Sequence, residues 1–421
     1  METVRLDRDT YQTTAPNGVT VLSEAVTSVR SAAVGIWVRS ASVHEPRPKM
    51  GVSHLLEHMV FKGTERRTAQ EIALSLESRG GSLDAYTSRD TTAYQARVLD
   101  ADLPEALDVL TDLVRRPVLR ETDLALERNV ILEEINTVED TPDDQVFDLS
   151  AQALWPEHPY GFQILGTRET VSALSGDDLR HLHGRAYHAG NCVIAAAGLL
   201  DHQELLRLVD RQGWFDRENG AGAAPDMPAV PAALRGGEQR QEKDSAQTHI
   251  VFATDTVPYA DRRKYAFQVL ANNFGGGMSS RLFQRIREEL GLAYAIYAFS
   301  SFYHRVGVAG VYVGTQPKTA PQAAAAIREE FARLARDGLH GTELADAKRQ
   351  TDGQLMLSLE SPTARMYRLA SCGVFGEPYQ SLDQMQAAIA TLTEDDIAAM
   401  AAEYFAPERQ TVVWLGPAAH S

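Results

Sequence analysis

The sequence predicts an α+β protein of two homologous domains, each a mostly antiparallel sheet with helices packed on one face. Three observations support this fold class. With 421 residues, 44% of them hydrophobic, the chain is globular in composition and too long for one ordinary core. In each half, strand-like segments are followed by several helical ones, which is the order expected of an α+β fold. A Gly-, Ala- and Pro-rich stretch without periodicity lies near the midpoint.

That stretch, residues 217–240, is interpreted as a linker between an N-terminal domain, 1–216, and a C-terminal domain, 241–421. Similar short segments recur on both sides of it. TDL at 122–124 has its counterpart in TEL at 342–344, and a Pro-Tyr pair occurs in each half. These recurrences indicate an internal duplication.

The individual elements follow from local periodicity. Strand candidates are apolar or alternating runs rich in β-branched and aromatic residues, at 30–42, 82–99, 249–257 and 293–314. Helix candidates in the first half are 50–61, 68–79, 103–115, 121–139 and 175–186. Those in the second half are 261–272, 278–290, 319–337, 341–359 and 362–374.

Charge and cysteine content exclude several classes of function. A net charge of −16 disfavours nucleic acid and anionic membranes as partners. The sequence has no apolar run of about 18 residues and no apolar region near its N-terminus, so we expect a soluble, cytoplasmic protein. Cys192 and Cys372 are the only cysteines and form no CxxC pair. Any metal must therefore be held by histidine and carboxylate side chains.

The segment HLLEH, residues 54–58, is the strongest chemical signal. On a helix, His54 and His58 share one face, and Glu57 lies beside His58. Two imidazoles and one carboxylate commonly hold catalytic zinc, with a further position left for water. Glu57, not itself a ligand, would accept the proton of that water as general base. The alternative is a surface helix with two exposed histidines, so a third ligand is needed to decide.

The helix candidate at 121–139 offers that ligand. Helical periodicity predicts a buried stripe made of Leu124, Ile131, Ile135 and Val138. Glu127 and Glu134 fall together at the edge of this stripe, whereas Glu133 faces the opposite side. Carboxylates at a buried margin need a cation nearby, or else they reach solvent or pair with Arg128. We select Glu134 as the ligand, although periodicity alone does not rank it above Glu127.

Five further blocks occur in order around these residues. They are FKGT (61–64), GGSLDAYTSRDTTAY (80–94), ERNVILEEI (127–135), HPYGFQILGT (158–167) and GGGMSSRLFQRIREELGLAY (275–294). Together with HLLEH, they make nearly the whole chain resemble the pitrilysin/insulinase superfamily of zinc peptidases, which carry the inverted HxxEH motif. In length, the chain resembles its short two-repeat branch, that of bacterial processing-type peptidases and the catalytic subunit of mitochondrial processing peptidase.

The resemblance implies a site and an activity. It implies one Zn²⁺ per chain with His54, His58 and Glu134 as ligands, Glu57 as general base, and Glu127 as a supporting acidic residue beside the ligands. The implied function is a zinc-dependent metalloendopeptidase that hydrolyses extended or unfolded oligopeptides by metal-activated water. A catalytically silent structural or assembly subunit is the alternative, which the intact motif disfavours.

The second half resembles the family's non-catalytic repeat. QVLAN (268–272) matches HLLEH, and Gln354 matches Glu134, so the ligands are absent there. The resemblance implies that Arg285 and Tyr294 contact the scissile peptide, with Arg287 competing for the role of Arg285.

The strand GSLDAYTS carries the substrate prediction. In the family, the peptide substrate adds as an extra strand at the sheet edge, which implies contacts to Asp84 and Ala85. Asp84 stands where relatives usually have asparagine, and a carboxylate there would favour basic peptides. A two-repeat chain further implies a homodimer, or a heterodimer with an inactive relative.

Overall fold

A computed structural model of the chain describes residues 1–216 and 225–418. Residues 217–224 of the predicted linker lie outside the described residues. No helix in the described part is long and apolar enough to cross a membrane.

The strands are numbered in chain order. They are β1 (Glu2–Asp7), β2 (Thr10–Thr14), β3 (Thr20–Ala25), β4 (Ser31–Val38), β5 (Ser82–Thr87), β6 (Thr92–Leu99), β7 (Cys192–Gly198), β8 (Glu238–Glu242), β9 (Thr248–Thr256), β10 (Ala293–Phe302), β11 (Gly307–Thr315) and β12 (Thr411–Gly416).

The α-helices are numbered in the same way. They are α1 (Val52–Val60), α2 (Ala69–Glu77), α3 (Leu103–Arg115), α4 (Glu121–Asp140), α5 (Pro142–Leu154), α6 (Arg168–Ala173), α7 (Gly176–Ala186), α8 (His202–Arg211), α9 (Lys264–Gly275), α10 (Ala320–Asp337), α11 (Gly341–Ser358), α12 (Pro362–Phe375), α13 (Leu382–Ala390) and α14 (Glu394–Tyr404). A π-helix covers Phe283–Glu289, inside the segment 278–290 that the sequence predicts as helical.

The described residues form two compact units. The first contains Met1–Ile135, residues 163–216 and 225–228, and Ser358–Tyr379. Its seven-stranded sheet has the order β1-β2-β3-β7-β4-β6-β5, and only the β3–β7 pair is parallel. Strand β5 ends this order and pairs with β6. One backbone edge of β5 is therefore free of other described strands.

Both faces of this sheet are apolar. In β4, Val34 and Ile36 face the larger core, which also contains residues of α1, α3 and α7. Trp37, one position on, faces a smaller cluster with Met366 and Leu369 of α12. The alternation of side chains along a strand explains this division. The predicted fold class is confirmed, and α12 additionally covers the second face.

The second unit contains Asn136–Phe162, Ala229–Leu357 and residues 380–418. Its five-stranded sheet has the order β10-β11-β9-β12-β8, and only β12–β8 is parallel. Helices α9, α10 and α14 contribute to the main core, and α5 packs on the other face. Each unit thus includes one helix from the opposite half of the sequence. The predicted division into 1–216 and 241–421 stays a prediction.

Candidate metal centre

Helix α1 presents the HLLEH segment because its other face is strongly apolar. Leu55, Leu56 and Met59 are each 0% exposed in the core of the first unit. Full burial of such a side chain contributes roughly 1.5–3 kcal/mol. His54 and His58, partly exposed, lie on the remaining face with their ring centroids 4.6 Å apart. The predicted convergence of the two histidines is present.

The N-terminus of α1 is held by contacts to its backbone. Gly51 precedes the helix with φ +88°, and a Cβ added there would lie 2.6 Å from the carbonyl oxygen of Leu165. The carboxylate of buried Glu45 accepts the N–H groups of Gly51 and Ser53, both at 2.8 Å. Burial raises the pKa of Glu45 to about 7, although these hydrogen bonds and Arg89 act in the opposite direction. Glu45 therefore does for α1 what a capping residue usually does.

Glu134 of α4 completes a cluster of three donors. Its Oε2 lies 3.8 Å from Nε2 of His54, and its Oε1 lies 3.6 Å from Nε2 of His58. One donor atom from each residue lies within 4.8 Å of the others, and no other such group of metal-binding side chains occurs in the described ranges. The sequence prediction selected these three residues.

The donor chemistry fits zinc. Burial, with the proximity of His58, lowers the pKa of His54 to about 3. His54 is therefore neutral and keeps a lone pair for a metal. Its Nδ1 is buried without a hydrogen-bond partner in the structure. Two neutral imidazoles and a carboxylate form a common zinc ligand set.

Glu127 is more deeply buried than the helical wheel indicates. The wheel places both acidic residues at the margin of α4, but Glu127 is 4% exposed and lies in the buried stripe with Leu124, Ile131 and Ile135. Its Oε2 lies 3.2 Å from Nδ1 of His58, and its Oε1 forms an ion pair with Lys62. Glu127 thus contacts the candidate ligand His58 but is not one of the three clustered donors.

Glu57 lies between the cluster and the edge strand. It is 8% exposed, and its Oε2 accepts a hydrogen bond of 2.7 Å from Oγ1 of Thr87 on β5. Burial raises the pKa of the Glu57 carboxyl group, and the hydrogen bond from Thr87 partly offsets this effect. A buried carboxyl with one fixed hydrogen bond suits a general base.

The predicted substrate residues lie on β5. Asp84 is exposed, and its Oδ1 accepts the backbone N–H of Ala85 at 2.9 Å. Ala85 is partly buried and stands opposite Tyr94 of β6. The backbone N–H of Ala85 therefore already has an acceptor, supplied by its own neighbour.

Arg285 and Tyr294 lie in the second unit and are described within it. Arg285 forms an ion pair of 2.8 Å with Glu289. The guanidinium of Arg287 lies 4.9 Å from the ring centroid of Tyr294, which is 78% exposed. Of the two arginines, Arg287 is thus the one in contact with Tyr294.

Three residues that the sequence prediction did not select support this site: Lys62 and Thr87 contact Glu127 and Glu57, and Glu45 contacts the start of α1. Lys62 follows His58 at the same four-residue spacing that separates His54 from His58, which is a usable signal. Thr87 is two positions after Ala85 on β5 and therefore shares its face. Glu45 lies in a loop before α1, where no periodicity points to it.

The arrangement defines a class of protein. A helix with the inverted HxxEH motif, a glutamate from a second helix and an α+β fold of two units are the features of an inverted-motif metalloprotein. Residues 20–168 match the family model "Insulinase (Peptidase family M16)", and residues 173–351 match "Peptidase M16 inactive domain". The chain belongs to the insulinase family, peptidase family M16, as a short two-domain form.

Similar curated proteins support this assignment. An uncharacterized zinc protease of Streptomyces coelicolor is 37% identical over 96% of this chain and 89% of its own length. The uncharacterized zinc protease YmxG of Bacillus subtilis is 38% identical over 88% of this chain and 90% of its own length. The resemblance inferred from the motifs is confirmed at the level of the family.

Solved structures share the fold. A crystal structure of a peptidase M16 inactive domain from Pseudomonas fluorescens has a TM-score of 0.88 at 22% identity, covering 97% of this chain and 98% of that one. A protease from Helicobacter pylori has a TM-score of 0.89 at 21% identity, covering 97% and 99%.

Proposed function

We propose that this protein is a zinc-dependent endopeptidase of the cytoplasm that hydrolyses extended or unfolded oligopeptides, with one Zn²⁺ per chain. The observation that carries the proposal is the cluster of His54, His58 and Glu134, with the buried carboxyl of Glu57 beside it. Relatives named as zinc proteases support the same reaction class.

The residues divide the chemistry among them. When bound, zinc supplies a Lewis acid that polarises a carbonyl and lowers the pKa of water toward about 7. His54, His58 and Glu134 would hold the ion. Glu57 accepts the proton of the attacking water and delivers it to the amine nitrogen as the C–N bond breaks. Because water is the nucleophile, no covalent bond forms between enzyme and substrate. Thr87 fixes the carboxylate of Glu57 through its hydroxyl hydrogen bond.

Substrate binds along the edge of β5. An extended peptide adds as a strand, and main-chain hydrogen bonds hold it without strong sequence preference. A peptide carbonyl that reaches the N–H of Ala85 must compete with the Asp84 carboxylate, which accepts that N–H at 2.9 Å. Basic peptide side chains would be attracted to Asp84, which supports a preference for cationic substrates.

The second unit contributes further substrate contacts in this proposal. Tyr294, together with Arg285 or Arg287, donates hydrogen bonds to the oxyanion that develops on the scissile carbonyl. The high exposure of Tyr294 and its contact with Arg287 support this role. The working form is a homodimer or a heterodimer with an inactive family relative.

The substitution Glu57→Gln tests the proposal. We expect loss of cleavage of a quenched, extended peptide by about 10²- to 10⁴-fold, because the general base is removed. Bound zinc, measured by metal analysis, should remain at the parent level. Glu133→Gln on the exposed face of α4 is the matched control and should retain activity. Retained turnover in Glu57→Gln would refute the assigned base, and purified parent protein unable to bind zinc would favour a silent assembly subunit.

A further inference from the structure

Lys62 connects the helix of the histidines to the buried carboxylate behind them. It lies just after α1, and its Nζ forms an ion pair with Oε1 of Glu127 on α4. The other oxygen of Glu127 lies 3.2 Å from Nδ1 of His58. The contacts thus run from Lys62 through one carboxylate to a candidate metal ligand.

The negative charge of buried Glu127 requires a positively charged partner. Its side chain is 6% exposed, and a buried carboxylate without a positive partner is strongly unfavourable. His58 cannot supply the charge while it serves as a ligand, because a metal-binding imidazole is neutral. It supplies only an Nδ1–H hydrogen bond. Among the side chains that contact Glu127 in the structure, Lys62 is therefore the one that supplies a positive charge while His58 serves as a ligand.

The two contacts also fix the orientation of Glu127. With Oε1 held by Lys62, Oε2 faces the ring of His58. A donor bond from Nδ1–H leaves the lone pair on Nε2, the atom that lies 3.6 Å from Oε1 of Glu134. The tautomer and the ring orientation of His58 both depend on where the Glu127 carboxylate lies.

We propose that Lys62 is a positioning residue of the metal site, holding Glu127 so that His58 presents Nε2 to the ion. This inference rests on the proposed function, because it concerns the same site. A purely structural role would act on folding instead. Because the Glu127 side chain is only 6% exposed, removing Lys62 also lowers the stability of the metal-free protein, so the positioning role is measured by the zinc affinity of the folded variant.

The test compares Lys62→Met with a matched lysine. Lys49 forms an ion pair of 2.8 Å with Asp178 and is 40% exposed, so Lys49→Met removes a lysine of similar exposure in the same unit, with a carboxylate partner that is 24% exposed. Zinc affinity is measured by competition with a chelator, and thermal unfolding is measured on the metal-free proteins. We expect Lys62→Met to bind zinc about 10- to 100-fold more weakly, as is typical for loss of a residue that supports a ligand. Lys49→Met should match the parent, and Lys62→Arg should recover most of the affinity.

A double-variant cycle isolates the path through Glu127. Adding Lys62→Met to Glu127→Gln should weaken zinc binding no further than Glu127→Gln alone, because the charge to be balanced is gone. Lys62→Gln serves the same purpose if Lys62→Met does not fold. Parent-like zinc affinity in the neutral variants, equal loss in Lys49→Met, or additive losses in the cycle would overturn the role of Lys62. Failure of the parent to bind zinc would instead overturn the proposed function.

Discussion

Thr87→Val removes the hydroxyl that holds Glu57 while keeping the shape of the side chain. In the structure, Oγ1 of Thr87 donates to Oε2 of Glu57 at 2.7 Å, the usual length of a hydroxyl hydrogen bond, and Glu57 is ionised when it acts as the base. Valine is nearly isosteric with threonine and suits a β-strand. The substitution therefore changes one hydrogen bond and little else.

The magnitude follows from burial and charge. Glu57 is 8% exposed, so solvent does not readily replace the lost donor. A hydrogen bond to a charged group contributes about 1.5–3 kcal/mol, and each 1.36 kcal/mol corresponds to a tenfold change in rate. If this free energy keeps the carboxylate in its productive orientation, kcat should fall about 10- to 100-fold. KM should stay within about threefold, because the backbone edge of β5 is unchanged.

Steady-state cleavage of a quenched peptide measures kcat and KM, and metal analysis measures zinc. Thr87→Ser, which restores a hydroxyl, should regain most of the lost activity. An unchanged kcat in Thr87→Val would refute the argument that Thr87 orients Glu57. A loss of zinc in Thr87→Val would show instead that the substitution disturbs the ligand cluster.

Two predictions concern the start of α1. Gly51→Ala should weaken zinc binding and lower the melting temperature of the metal-free protein, because φ is +88° and the new Cβ would lie 2.6 Å from the Leu165 carbonyl oxygen. Gly80→Ala, at φ +76° with nothing within 4 Å, controls for backbone strain alone, and an equal effect there would contradict the steric argument. Burial raises the pKa of Glu45 from 4.5 to about 7, so the folded protein holds a proton that the unfolded chain releases near its ordinary pKa. The free energy of unfolding should therefore fall by up to about 3 kcal/mol as pH rises from about 4.5 to about 7. In chemical unfolding of the metal-free protein, Glu45→Gln should lack this component, and an unchanged pH profile would contradict it.

The ligand cluster could be predicted because its information is local. The four-residue spacing of HLLEH places both histidines on one face, and helical periodicity brings Glu134 to the margin of α4. The wheel could not distinguish the depth of Glu127 from that of Glu134, since depth depends on what packs against α4. Glu127 is 4% exposed because α4 lies against the core.

The supporting contacts could not be predicted for the same physical reason. Glu45 lies in a loop, where local periodicity gives no signal. Spacing places Lys62 beside His58 and Thr87 on the face of Ala85, but it does not indicate that they contact Glu127 and Glu57. The sequence also does not indicate which helix covers the second face of each sheet. Apolar residues on both sides of β4 indicate that something covers each face, but they do not indicate that α12, far along the chain, covers one of them.

Helix α1 is held at both ends by protein groups, Glu45 at its start and the pair of Lys62 and Glu127 after its end. Its apolar face is buried independently of any ion. Small zinc-dependent domains use the free energy of metal binding to fold, because their cores are too small to fold alone. In this protein, folding of the core already orders the ligand side chains, so their loss of conformational entropy occurs before any metal binds. If the protein binds zinc as proposed, a chelator should therefore remove the ion without unfolding the chain, and the donors should remain in place for zinc to bind again.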